Sequence, residues 1–540
     1  MKEFSKNRAT LILMIAAIGS NVLGLGKDIV FNLHFKSDLL KIYFSAFRFP
    51  DLIYNLVVLG VLSSIFITFF IDHLNNKGKE DAFKFANNII NFTIIATSIF
   101  SIILFFMVPF LIHGLTPGFS PEEKELTAKL IQIMLLQPIL MGLSSVIGGV
   151  LNSFKKFVAY ALAPIFYNLG IIFGAIFLAP KYGIFGLAYG VLIGAFLHLL
   201  IQLVPVLKTG YRYKFVFNAT DQSLRQMLKL APPRIGGLLA SQANLFIITI
   251  VGSLIGGGSI TYLMYANDIQ AFVVVVFGLS FATVVFPLLA DYASLNKTEE
   301  FINELSTSFR QILFFAIPAS LGLILLRGQI VRLLLGYGFF KFTDTKLTAA
   351  ILGVFALSLF AQALILILVR AFYALKDTKT PFYAALSAVL VNIIGSITLP
   401  KFFDQYVADP KNGITFAVVG LAAAFTIASF VNMLILLIAL HKRLGGLNDG
   451  KIINSLSKII IASAAMAISI QGLKYVISPI INPIHPVLGF TVQTLFVIFA
   501  GAGVYFFLAY ILGCDEIKGF KNIFKRTPSY LQSDSDESKN

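Results

Sequence analysis

The chain alternates long apolar runs with short polar ones. Crossing about 30 Å of hydrocarbon as an α-helix takes roughly 20 apolar residues, and runs of that length recur from end to end. They predict fourteen spans, at about 10–34, 42–72, 85–112, 127–153, 157–179, 183–206, 227–255, 259–290, 308–327, 349–374, 380–400, 414–440, 453–477 and 486–513. The expected fold is therefore an all-α integral membrane protein. Lys2, Lys6 and Arg8 ahead of the first run resemble a secretory signal. That run is too long for one, has no small-residue cleavage site and is followed by further spans, so it reads as an uncleaved first helix.

Taken alternately, the segments on the side of the N-terminus are richer in Lys and Arg than the opposite loops. An even number of spans preserves this bias. Basic residues favour the cytoplasm, so both termini are expected there.

The sequence also repeats itself. "YALAPIFYNLGIIFGAI" (160–176) matches "YAALSAVLVNIIGSITL" (383–399), setting Asn168 over Asn392. "GLAYGVLIGAFLHLLIQLVPVLKTG" (186–210) matches "GLAAAFTIASFVNMLILLIALHKRLG" (420–445). The order is the same and the offset nearly constant, which predicts a parallel repeat of two six-helix lobes, 1–210 and 227–445. A basic linker, 211–226, would join them on the cytoplasmic side. Spans 13 and 14 (446–513) stand outside the repeat, and the cytoplasmic tail 514–540 ends in "SDSDESKN", a polar stretch expected to be disordered.

Composition narrows the function classes. Hydrophobic residues make up 57% of the chain and charged residues 13%, against about 25% charged in soluble domains. The net charge of +16 is dispersed over short loops, which fits membrane orientation and excludes nucleic acid as a partner. The single cysteine, Cys514, excludes an intramolecular disulfide and a metal cluster. Tryptophan is absent, so Tyr and Phe must form any interfacial belt. There is no HExxH, Walker loop or Asp-rich metal motif, and no loop long enough to form a catalytic domain, so enzyme activity is not expected. "GGGS" (256–259) reads as a tight turn because no strand precedes it. His198 and His441 read as packed or interfacial.

The informative residues are charges within spans, where each costs about 2.5–3.5 kcal/mol on insertion scales and usually faces a cavity or a partner. On span 1, Ser20, Gly24 and Lys27 share a helical face, with Asn21 and Asp28 beside it. On span 2, Ser45, Arg48, Asp51 and Asn55 recur at three- and four-residue spacing around Pro50, which should bend the helix. Arg234, after Pro232-Pro233, and Asp268 in "YANDIQ" are the comparable residues further along. Two half-polar helices read as the wall of a watery cavity. The competing reading makes Lys27–Asp28 and Arg48–Asp51 neutralising pairs that hold helices together, or lets Lys27, Arg48 and Arg234 snorkel to the interface.

"LTPGF" (115–119), "GGVLNSFKKFVAYALAPIFYN" (148–168), "GLAYGVLIGAFLHLLIQLVPVLKTG" and above all "AFYALKDTKTP" (371–381) resemble the MurJ (MviN-like) lipid II flippases, relatives of MATE exporters and polysaccharide flippases. The resemblance runs in order from about residue 10 to 445. It implies a multi-pass protein of the bacterial inner membrane that turns a polyprenyl-diphosphate-linked muropeptide from the cytoplasmic to the periplasmic leaflet. Alternating access would be driven by membrane potential or by Na+ or H+, with no other cofactor. It also implies two lobes around a cationic cavity and a groove on helices 13 and 14 for the polyprenyl tail. The expected state is a monomer among membrane lipids, with cell-wall synthesis machinery as a partner class. Members of the family usually carry cavity arginines at the positions of Asn21, Lys27, Tyr54 and Asp268; only Lys27 is cationic here. The family's acidic position at the start of span 2 is Lys41. Lysine lacks arginine's bidentate fork, so Arg48 and Arg234 become candidate substitutes. A second reading stays open: export of another amphiphile, either a polyprenyl-linked glycan or an organic cation, for which Asp28, Asp51 and Asp268 would be suitable ligands.

Overall fold

In the computed structural model, residues 2–410, 414–481 and 486–517 are described. The tail beyond 517 lies outside the described residues. Among the described residues, ten helices are long and apolar enough to cross a membrane. An eleventh crossing forms if Phe342–Leu357 and Leu359–Ala374, bent by 45°, are one span. The other three predicted spans are also helical: Lys2–His34, an interrupted stretch from Ser37 to Asn76, and Pro232–Ile255. Fourteen crossings are compatible with these helices without being established by them.

Apolar side chains face outward as well as inward. Only 17% of the most apolar window of Lys79–Leu115 is buried, and Phe106 and Phe110 on it are 70% and 79% exposed. Water does not tolerate so continuous an apolar surface, whereas lipid does.

By contacts the chain forms two compact units. The first gathers Met1–Ile269, Val331–Ile351 and Ala385–Ala428; the second gathers Gln270–Ile330, Leu352–Ala384 and the chain from Ser429 onward. These boundaries do not follow the six-and-six division read from the repeat.

Within the first unit the two repeats make matching contacts. Asn168 donates to the carbonyl and hydroxyl oxygens of Ser20, at 3.1 and 3.2 Å. Asn392 donates to the side-chain oxygen of Asn244. Both contacts join residues 148 positions apart. Glycines match as well. A Cβ on Gly186 would lie 2.4 Å from the nitrogen of Ala179, and one on Gly420 would lie 2.4 Å from that of Pro400. Such small-residue approaches are how membrane helices gain contact area where lipid leaves no hydrophobic drive between them.

The linker is strapped down. From Tyr211 to Phe217 it has no helix or strand, and three asparagines of Lys79–Leu115 take up its polar groups. Asn87 accepts from the Tyr211 hydroxyl (2.5 Å), and Asn91 accepts from that of Tyr213 (2.6 Å) while donating to the Val216 carbonyl (2.9 Å). Asn88 both accepts from the N–H of Asn218 (2.7 Å) and donates to its carbonyl (3.1 Å). The short helix Gln222–Leu230 follows, with Ser223 2.9 Å from His73.

In the second unit, Glu516 is buried and holds Arg310 at 2.8 Å and Ser455 at 2.9 Å. The Tyr505 hydroxyl donates to the Phe314 carbonyl at 2.6 Å. The last two long helices, Asp449–Ile481 and Pro486–Ile511, pack on each other, with Gly501 against Ile470 and Met466. His198 is packed against Ser144 (2.7 Å), while His441 is exposed beside Asp449 (2.8 Å).

Candidate functional site

The second span is where the sequence departs most from a regular helix. Pro50 has no N–H to offer the carbonyl four residues back, and the chain breaks there into Ser37–Ala46 and Arg48–Ile53, with Phe47 between them. A π-helical stretch, Tyr54–Leu62, follows at once. Such wide turns inside helices mark places where side chains must be re-aimed.

The break opens onto a cavity of about 200 Å³. Tyr43, Phe47, Arg48 and Asp51 line it from the broken span; Lys27 comes from the first helix. Tyr167 and Asn168 enter from Phe157–Phe173, and Met264 and Asp268 from Ser259–Val274. The Lys27 ammonium stands 3.5 Å from Asp28 Oδ1 and 3.5 Å from Asp268 Oδ2. Arg48 is 4% exposed; its Nε donates to Thr249 Oγ1 at 2.6 Å and its Nη2 to Met264 Sδ at 3.4 Å. Neither partner is charged. Among the described residues Asp51 has no ion-pair or hydrogen-bond partner for its carboxylate, and the fully buried Tyr43 hydroxyl has none either.

Four of the eight residues singled out in the sequence, Lys27, Arg48, Asp51 and Asp268, thus line one cavity. Asp28 lies behind it, fully buried, with the Lys27 ammonium 3.5 Å away. Asn21 donates to the Ala17 carbonyl of its own helix at 2.8 Å and is not part of the lining. Tyr54 packs against the apolar cluster around Val58 and Phe85. The Arg234 side chain lies outside the described residues. Snorkelling is not how Lys27 and Arg48 are accommodated, since the Lys27 side chain is only 16% exposed. Lys27–Asp28 is an ion pair, as one reading expected, whereas Arg48–Asp51 is not.

Polar residues of the expected stripe that miss the cavity satisfy backbone instead. Ser45 donates to the Lys41 carbonyl (2.7 Å) and Asn55 to that of Asp51 (2.7 Å). Lys41 is paired with Glu123 at 2.9 Å and lies over the Phe119 ring. Tyr43, Tyr167 and Met264 carry no polar pattern that a sequence reading would flag.

Beyond the cavity, away from the N-terminus, the helix ends are tied together. Buried Asn32 accepts from the Tyr265 hydroxyl (2.8 Å) and donates to the Leu335 carbonyl (3.1 Å), and its own carbonyl accepts from Phe339 N–H (2.7 Å). Thr261 donates to the Ser37 carbonyl (2.7 Å), and Tyr262 to Asp344 (2.5 Å). Gly256 and Gly257, at φ +82° and +51°, make the tight turn that delivers Thr261 and Tyr262 to this end.

Comparisons with known proteins agree with one another. A family model described as lipid II flippase MurJ matches residues 32–491. The probable lipid II flippase MurJ of Buchnera aphidicola subsp. Acyrthosiphon pisum (strain APS) is 30% identical over 429 residues, covering 78% of this chain and 81% of its own length. That of Rhizobium tropici is 27% identical over 536 residues, covering 96% and 97%. Among solved structures, a lipid II flippase MurJ in an inward closed conformation aligns with a TM-score of 0.76 at 29% identity, over 94% of this chain and 100% of that one. An inward-facing MATE-family multidrug transporter, at 14% identity and a TM-score of 0.64 over 82% and 99%, shares the fold.

Proposed function

Because the chain belongs to the MurJ family of lipid II flippases, we propose that it carries a polyprenyl-diphosphate-linked muropeptide across a bacterial inner membrane by alternating access. The observation that carries this reading for the chain's own residues is Arg48. It is a buried guanidinium whose hydrogen-bond partners among the described residues are neutral, in a cavity that Lys27 also lines. A buried cation with no carboxylate in direct contact is poised for an anionic ligand.

In this reading Lys27 supplies the second contact to the head group, and Asp28 and Asp268 take it back when the head group leaves. A carrier must release what it binds, and carboxylates at 3.5 Å limit how tightly Lys27 can hold an anion. The ties around Asn32 would close the periplasmic side while the cavity loads from the cytoplasm, the side on which the basic loops would place both termini. The apolar faces of the last two helices would hold the polyprenyl tail, and membrane potential or an ion gradient would drive turnover. The working unit would be a monomer, and bond-making chemistry has no part in the cycle.

The test is depletion of the protein in growing cells while tracking which leaflet holds the lipid-linked precursor. Accumulation in the inner leaflet is the expected outcome; an unchanged distribution would overturn the reading. The carboxylates support a second reading, export of an organic cation, since Asp28, Asp51 and Asp268 outnumber the two described cations. Tight binding of hydrophobic cations by the purified protein, with no binding of lipid II, would favour it.

A further inference from the structure

The charges of the cavity do not match a bare diphosphate. Lys27 and Arg48 share the lining with two carboxylates, Asp51 and Asp268, and Asp28 lies behind it; Asp28 and Asp268 already flank Lys27 at 3.5 Å. Each phosphate of a diphosphate diester is ionised at neutral pH. Placing it here would bring two more negative charges into a site whose two lining cations are already matched by two lining carboxylates, and which is largely withdrawn from water, where like charges repel strongly. Asp51 makes the mismatch sharper. It sits one helical turn from Arg48 and lines the same cavity, yet no described side chain pairs with it. The Tyr43 hydroxyl, fully buried in the same lining, also has no partner. An unpaired carboxylate and an unpaired hydroxyl beside a guanidinium whose described hydrogen-bond partners are neutral call for a ligand that brings charge of both signs.

Resting on the flippase reading above, we propose that this cavity takes the diphosphate as its Mg2+ complex. Arg48 and Lys27 would face phosphate oxygens, and Asp51 and Asp268 would face the metal and its water shell. Mg2+ suits the arrangement. It keeps several waters and is ordinarily held by one or two carboxylates together with substrate phosphates, not by an all-protein cage. Accordingly, among the described residues no cluster of three or more His, Cys, Asp or Glu could hold a metal alone. The ion would arrive with the lipid. Its two positive charges offset those of the diphosphate, and the Tyr43 hydroxyl can donate to a phosphate oxygen or accept from a metal-bound water.

The test is binding of synthetic lipid II to the full-length chain in nanodiscs, in millimolar MgCl2 and in EDTA. About tenfold weaker binding in EDTA is expected. Asp51→Asn should remove most of that difference, with its affinity in EDTA no lower than that of the parent; a matching thermal melt shows that the variant is folded. Equal parent affinities in the two conditions would overturn the proposal while leaving the flippase reading intact. A Mg2+ dependence untouched by both Asp51→Asn and Asp268→Asn would also overturn it, since the ion would then act outside this cavity. Absence of lipid II binding in either condition would remove the flippase reading and this proposal with it.

Discussion

Arg48 and Asp51 lie one helical turn apart and line the same cavity without pairing with each other. Opposite charges at this spacing ordinarily attract. Here the guanidinium turns to Thr249 and Met264, at 2.6 and 3.4 Å, which leaves the carboxylate available to a ligand.

Arg48→Ala should therefore abolish transport with little loss of protein from the membrane. Breaking a true buried ion pair costs about 3–5 kcal/mol, whereas losing hydrogen bonds to neutral partners costs about 1–2 kcal/mol. Precursor flipping measured alongside membrane abundance separates the two. Arg48→Lys should retain part of the activity, because it keeps the charge and loses the fork. Disappearance of the alanine variant from the membrane would restore the structural reading.

Lys27 should be reachable from water. In a functional background with Cys514 replaced, Lys27→Cys should react with a membrane-impermeant thiol reagent, and lipid II should protect it. A cysteine that never reacts in any transport state would mean that the lysine is a sealed structural partner. Among charge variants, Lys27→Arg should work, and Lys27→Glu should be less active than Lys27→Ala because it repels the diphosphate. Asp28→Asn should bind substrate and turn over poorly, since Lys27 then loses one of its two competing carboxylates.

The two repeat-related asparagines should differ in what they contribute. Asn392 is 2% exposed and also accepts from Ser396 at 3.1 Å. Its removal leaves a buried polar group on Ser396 and a half-buried one on Asn244, so Asn392→Ala should lower stability by about 1–2 kcal/mol. Asn168 lines the cavity, where water can replace it, and Asn168→Ala should cost well under about 1 kcal/mol. Thermal melts of the purified variants would show the order; equal losses would mean that the two contacts are equivalent in environment after all.

The motif "AFYALKDTKTP" owes its shape to Asp377. Lys376 adopts φ +57°, which ends the preceding helix. Asp377 then accepts from Lys379 N–H (3.0 Å), Thr380 N–H (3.0 Å), the Thr380 hydroxyl (2.8 Å) and Arg443 (2.8 Å). Burial alone would raise its pKa, but the Thr380 donors, the Lys379 N–H and the Arg443 guanidinium together hold it below the usual carboxylate range. A carboxyl depressed in the folded state stabilises above its unfolded pKa, and that gain is lost as pH falls through the folded value. The melting difference between parent and Asp377→Asn should thus be full at neutral pH and shrink below the ordinary aspartate range near 4. A difference that persists unchanged in acid would assign Asp377 a role independent of its charge.

Much of this was legible in the sequence. The apolar runs marked the helices, and Asn168 over Asn392 marked a repeat whose contacts the structure reproduces. Lys27, Arg48, Asp51 and Asp268 stood out because a charge in an apolar run has few places to go. Tyr43, Tyr167 and Met264 did not stand out, since aromatic and sulfur side chains in a membrane helix look like packing until the fold shows what they face. Asn32 was hidden for a different reason. Its partners come from residues near 265 and 335, a tertiary meeting that no local periodicity encodes. Nor could spacing reveal that the helix breaks at Phe47 and so leaves Ser45 and Asn55 bonded to backbone.

The paired contacts of Asn168 with Ser20 and of Asn392 with Asn244 sit at one common shift of 224 positions (168 to 392, 20 to 244). The same shift carries Lys27 onto Val251 and Asp28 onto Gly252. If the two halves descend from one duplicated gene, the amide contact was inherited by both copies, whereas the lysine–aspartate pair was kept or acquired by one. After duplication the second half was then free to lose or never gain that pair, because a single copy suffices for a cargo that visits one cavity. Ancestral reconstruction of a half-length chain should therefore recover the asparagine contact with more certainty than the lysine–aspartate pair.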